Sequence, residues 1–224
     1  MHICLFDIDG TLLNSGGAGQ AAMEAAMRVE FGTCRSVDGL CTAGRTDRAI
    51  ALDLFQFHEV LADDDTLARF YAAYLAQLPL HLAERGGLVL PGVALLLEDL
   101  SRRDDVVLGL LTGNYKEGAR LKLGHFGLHH HFEFGGYGDH HLDRDDVARE
   151  ALGEVHRRFN GSFDRTRLWV IGDTPADIRC ARAIDARVAA VATGQYSIDE
   201  LRHNSPDLLL EDLADSESFL TLFD

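Results

Sequence analysis

"LFDIDGTLLNS" occupies Leu5–Ser15, almost at the start of the chain. The apolar run His2–Phe6 reads as a short buried strand. Asp7 and Asp9 follow it at once, two residues apart, and then Gly10 and Thr11. A strand end is where an open α/β sheet presents side chains to ligands. Two carboxylates crowded there repel each other, so a partner cation or a shared proton is implied. A polar turn would account equally well for a lone Asp9-Gly10. The rest of the chain has to supply the other parts of a site.

From Pro91 onward, apolar runs alternate with amphipathic stretches of helical spacing. The runs are Val106–Thr112, Phe132–Gly138, Arg167–Asp173, Arg187–Thr193 and Asp207–Leu213. This alternation predicts a doubly wound, Rossmann-like parallel sheet with helices on both faces, an α/β fold. The strand His2–Phe6 belongs to the same sheet. Between it and Pro91 the chain is Ala-rich, with apolar residues at helical spacing in Gly19–Gly32, Arg45–Phe57 and Asp63–Leu78. A structureless loop of that length is implausible in a compact domain. The expected division is therefore a core of residues 1–14 and 90–224 with an inserted α-helical cap of residues 15–89. The glycines in Asn14–Gly17 and Arg85–Gly92 mark its two connections as hinges.

Three further strand ends carry polar groups. "GLLTGN" ends on Thr112, Gly113 and Asn114 and turns into a helix, where a hydroxyl and free backbone N–H groups can hold an anion or simply cap the helix. "VIGDTPADI" ends its strand at Asp173 and places Asp177 four residues on, with Pro175 suited to the first helical turn. "GYGDHHLDRDD" brings Arg144 ahead of a helix, while Lys122 lies in the helix after Thr112.

Composition narrows the function. The formal net charge is −15 and the pI near 5.0, which argues against nucleic acid or an anionic membrane as a partner. An anionic substrate then needs a local positive site. The four cysteines are irregularly spaced and lack a CxxC pair, which suits a reduced, cytoplasmic protein, with Cys34–Cys41 pairing as the less favoured reading. No signal peptide is visible, and no apolar run approaches a membrane span.

The ordered set "DIDGT", the Thr112 of "LLTGN", a basic residue and "GDTPADI" resembles the haloacid dehalogenase superfamily of phosphohydrolases, across essentially the whole chain. It is most similar to the phosphoglycolate-phosphatase-like members with an inserted helical cap. The resemblance implies a magnesium-dependent phosphatase acting on small phosphorylated metabolites, as a monomer or homodimer. It implies that Asp7 is the nucleophile and becomes an aspartyl-phosphate. Asp9 is implied as general acid and then base, protonated at the first step. Asp7, the backbone carbonyl of Asp9, and Asp173 are implied as Mg²⁺ ligands, with Asp177 binding or orienting the metal. Thr112, Gly113, Asn114, Gly10 and Thr11 are implied around the phosphate. The family has a lysine at its third motif; here either Arg144 or Lys122 fills that place. Arg45, in the insert, is open between a substrate contact and a surface salt bridge.

A phosphomutase would share every core motif. A 2-haloacid dehalogenase would not need the acid at Asp9, because halide leaves without a proton. A phospho-accepting signalling module also gathers acids, a threonine and a basic residue at strand ends, but the inserted segment argues against it. His125 and His129 have metal-ligand spacing, broken by Gly124 and Gly127, and His140 and His141 lie close to Arg144.

Overall fold

The computed structural model describes residues 1–33, 35, 42–215 and 219–221. Its centre is a six-stranded parallel sheet. The strands are β1 (His2–Phe6), β4 (Val106–Leu111), β5 (Gly135–Gly136), β6 (Leu168–Gly172), β7 (Arg187–Val191) and β8 (Leu208–Leu210), in the order β5-β4-β1-β6-β7-β8. Every neighbouring pair in it is parallel. The expected fold class and all six expected strands are present. The chain leaves β1 and winds outward to β4 and β5, then returns to the other side of β1 for β6. The carboxyl end of β1 therefore lies where the winding reverses, the place in such sheets where ligands bind.

Strand periodicity divides the core. Cys4 and Phe6 of β1 face one apolar layer, and Ile3 and Leu5 face the other. The first layer is covered by α4 (Val93–Ser101) and α5 (Lys116–His125), through Leu96, Leu97, Ala119 and Leu123. The second is covered by α6 (Arg144–Arg158), α7 (Pro175–Arg182) and α8 (Ile198–Arg202), through Val147, Ala151, Ile178 and Leu201. Both faces of the central strands are buried, which is why those strands read as continuous apolar runs.

The segment between β1 and α4 is helical. It holds α1 (Ala18–Phe31), α2 (Asp47–His58) and α3 (Asp64–Arg85), and these bury a third apolar cluster that includes Met23, Met27, Leu54, Phe55, Phe70 and Tyr74. Asp63 opens α3 with a capping box to Thr66, as the acid run suggested. The helix then continues through Pro79 to Arg85, beyond the expected end at Leu78. Leu78 and Leu82 are both buried, so packing on either side of the proline carries the helix across the lost backbone bond.

The two connections differ from open hinges. They pair with each other as a short antiparallel sheet of β2 (Leu13–Asn14) and β3 (Leu88–Val89). Each strand is two residues long, too short for any alternation to show in the sequence. Cys4 and Cys180 are free and buried. Cys34 and Cys41 lie outside the described residues. Among the described residues, no helix is long and apolar enough to cross a membrane.

Candidate active site

The strand ends converge. Ile8–Leu13 is a compact turn in which Ile8 O accepts from Leu12 N and Leu13 N, and Leu13 O accepts from Gly10 N. The turn requires glycine at position 10: φ is 88°, and a Cβ there would overlap the Asp173 carboxylate. Thr11 Oγ1 donates to Asp173 Oδ1 at 3.0 Å. Thr11 therefore orients an acid and does not line the cavity.

Carboxylate oxygens of Asp7, Asp173 and Asp177, one from each residue, lie within 4.8 Å of one another, all buried. Burial, the Asp177 charge and other neighbours outweigh Arg144 and push the Asp7 carboxyl up to about 6. Burial, Asp177 and Asp7 push Asp173 well above the usual range. Asp7 Oδ1 is buried and accepts no hydrogen bond. Hard oxygen donors crowded with unmet acceptor capacity are what a divalent cation of the Mg²⁺ type binds. The residues present fit such an ion. No other group of three or more His, Cys, Asp or Glu side chains among the described residues has metal-ligand geometry. His141 instead meets Glu150, at 2.7 Å.

The question of two basic residues resolves into two positions. Arg144 is buried, its Nη2 pairing with Asp177 and lying 3.2 Å from Asp7 Oδ1. Lys122 is also buried, its Nζ donating to Asp9 Oδ2 and Asn114 Oδ1, each at 2.6 Å. One cation thus serves the Asp7 side and the other the Asp9 side. Asn114 Nδ2 donates to Asp9 Oδ2 and to Thr112 Oγ1, both at 2.9 Å. Thr112 is fully buried and outside the cavity lining, whereas Gly113 and Asn114 line it.

Asp9 sits among donors that favour its carboxylate. Burial would raise its carboxyl, but Lys122, Asn114 and Ser15 outweigh burial and hold it below the usual range. Of the Asp7–Asp9 pair, it is Asp7 whose carboxyl is pushed up.

Beyond the acids opens a cavity of about 330 Å³, lined by the strand-end loops on one side and α1 and the Thr42–Asp47 segment on the other. Gly113 is needed where these walls meet, because a Cβ would overlap the Arg45 carbonyl oxygen. The same contact brings Asp47 N to Gly113 O at 2.7 Å. Arg45 both lines the cavity and pairs with Asp53 of α2, so the two readings of it hold together.

Asp47 escaped the sequence reading. It is 8% exposed and lines the cavity, and its Oδ2 accepts from Tyr115 N at 2.8 Å. Burial outweighs Lys122 and the Tyr115 N–H and pushes its carboxyl up to about 6. In sequence it is an acid at a helix start, indistinguishable from ordinary dipole matching. Ser15, Gln20 and Gln195 also line the cavity without any sequence signal.

Comparison with known proteins agrees with this architecture. The profile of the family described as "Haloacid dehalogenase-like hydrolase" matches residues 4–191. A hydrolase from Pseudomonas syringae superposes with a TM-score of 0.72 at 20% identity, covering 99% of this chain and 98% of that one. A predicted phosphoglycolate phosphatase from Haemophilus somnus gives 0.72 at 19% identity, covering 98% of each chain. CbbY from Rhodobacter sphaeroides in complex with phosphate gives 0.73 at 20% identity, covering 96% of each. These likenesses bear on the fold. No curated protein matches the sequence. The profile match spans most of the chain, including the strand ends that carry Asp7, Asp9, Thr112, Asp173 and Asp177, so this protein belongs to the haloacid dehalogenase-like hydrolases.

Proposed function

We propose that the protein is a magnesium-dependent phosphatase of small phosphate monoesters, working through phosphorylated Asp7. The observation that carries this is the buried set Asp7, Asp173 and Asp177, with Asp9, Asn114 and Lys122 beside it at one end of the sheet. Asp7, the Asp9 carbonyl and Asp173 would hold Mg²⁺, with Asp177 fixed behind them by Arg144 and by the Thr174 hydroxyl at 2.7 Å. The ion, when bound, neutralises the acids and draws charge from the phosphoryl oxygens.

The chain's own groups do the rest. The Asp7 carboxylate attacks phosphorus, and the bond to the alcohol oxygen breaks. Lys122 and the backbone N–H of Gly113 face the transferring oxygens. Lys122 is kept charged despite burial by Asp9 and Asp47. A phosphate seated against Lys122 competes with Asp9 for that charge, and its own negative charge raises the Asp9 carboxyl. Asp9 can then carry a proton to the leaving alcohol. Water next attacks the phosphorus held on Asp7 and gives its proton to Asp9, and the bond from phosphorus to Asp7 breaks to release phosphate and the free carboxylate.

In this reading α1–α3 form a cap over the cavity. It excludes water during transfer and opens for product, and it restricts substrates to cytoplasmic small metabolites.

The test is phosphate release from a panel of phosphorylated metabolites. Magnesium should support many turnovers per chain, and chelator should abolish them. Release of only one phosphate per chain would favour a phospho-accepting module, and full activity in metal-free buffer would remove the metal from the account.

A further inference from the structure

We propose that the organic part of the substrate carries hydroxyl donors and no second anionic group, and that Asp47 selects it. The inference rests on the phosphatase reading and concerns the half of the cavity away from the metal acids.

Three basic side chains line the cavity among the described residues: Arg45, Lys122 and Arg144. Each already has a carboxylate partner. Arg144 pairs with Asp177 and Asp7, Lys122 with Asp9, and Arg45 with Asp53. Residues 34, 36–41, 216–218 and 222–224 include no lysine, arginine or histidine, so they bring no further cation. A second phosphate or a carboxylate on the substrate would compete with an existing pair for any of these three lining cations.

The same region offers an acceptor. Asp47 is more than nine-tenths buried and lines the cavity, and only its Oδ2 is engaged, by Tyr115 N. Its Oδ1 has no hydrogen-bond partner among the described residues. A carboxylate oxygen with no protein donor, facing a cavity, favours a hydroxyl donor and repels an anion. Met23 and Ile50 line the same wall and suit the carbon skeleton of a small polyol. A cavity of about 330 Å³ holds a ligand of that size.

Glycerol 3-phosphate and 3-phosphoglycerate make a matched probe, since a CH₂OH in one is a carboxylate in the other. Para-nitrophenyl phosphate reports the phosphoryl-transfer chemistry alone. With magnesium, kcat/KM for the alcohol should exceed that for the acid by about tenfold or more. Asp47→Asn keeps an acceptor for Tyr115 N and removes the charge. It should shrink the alcohol-to-acid ratio by about fivefold or more, mostly through KM. The ratio in the parent protein is informative even if the variant folds poorly. Equal or better turnover of the acid, or turnover of the aryl phosphate but neither probe, would overturn the selection by Asp47. A ratio unmoved by Asp47→Asn in a folded variant would do the same. No hydrolysis of the aryl phosphate would instead remove the phosphatase reading beneath it.

Discussion

The two walls of the cavity handle charge differently. On the sheet side, Asp7, Asp9, Asp173 and Asp177 are crowded beyond what Arg144 and Lys122 can offset, and Asp7 and Asp173 are pushed toward keeping their protons. On the helical side, Arg45 is neutralised by its neighbour Asp53, and Asp47 is held by a single backbone N–H. The sheet wall is short of positive charge in a way a divalent cation and a phosphoryl group would complete. The helical wall is near balance and has a hydrogen-bonding vacancy. Reaction chemistry belongs to the first wall and discrimination to the second.

The largest break in that contrast should come from Asp7→Asn. An amide is a poor nucleophile and a weak ligand, so phosphate release should fall by about 10³-fold or more, with circular dichroism unchanged. An active Asp7→Asn protein would place the nucleophile elsewhere.

The two cations on the sheet wall should separate next. Arg144→Met leaves Asp177 buried without its ion pair, and stability to denaturant should fall by about 3–5 kcal/mol. Lys122→Met should cost less stability, because Asp9 is half-buried and keeps Asn114 and Ser15 as donors. It should instead lower turnover by about 10²-fold. Equal losses of stability in the two variants would erase the distinction between a structural and a phosphate-facing cation.

The smallest effect is on the helical wall. Asp47 has a carboxyl raised from 3.8 to about 6 in the folded protein. Between those values the unfolded chain has released its proton while the folded chain retains it, so Asp47 lowers stability as pH rises from about 4 to 7. Asp47→Asn removes that slope. Relative to the parent, the variant should gain about 1–3 kcal/mol at pH 7 compared with pH 4. A constant difference across that range would show that Asp47 is not held off its usual titration.

The sheet wall was readable in sequence and the helical wall was not, for physical reasons. Strand ends impose order: an apolar run stops, and the next polar residues must sit at the sheet's carboxyl edge. Asp7, Asp9, Thr112 and Asp173 could be placed that way. The edge strand was harder to delimit. Phe132–Gly138 was expected, but only Gly135–Gly136 pairs, and only with β4. Phe132 and Phe134 are apolar because they pack on the core layers, which strand patterning alone does not distinguish. The β2–β3 pair was invisible because two residues carry no period. Lys122 and Arg144 could not be assigned from spacing, since each approaches the acids from a different helix. On the helical wall, Asp47 and Gln20 are common surface residue types, as is Gln195 in the loop after β7, and only the folded chain shows that they line a cavity.

The central claim is phosphoryl transfer to Asp7, and the most direct measurement is mass spectrometry of the acid-quenched protein during turnover of a phosphate ester with magnesium. The account predicts one phosphoryl group on the peptide that contains Asp7, absent with chelator and absent in Asp7→Asn. Phosphate release without that adduct, with the phosphoryl group found on another residue, would contradict it.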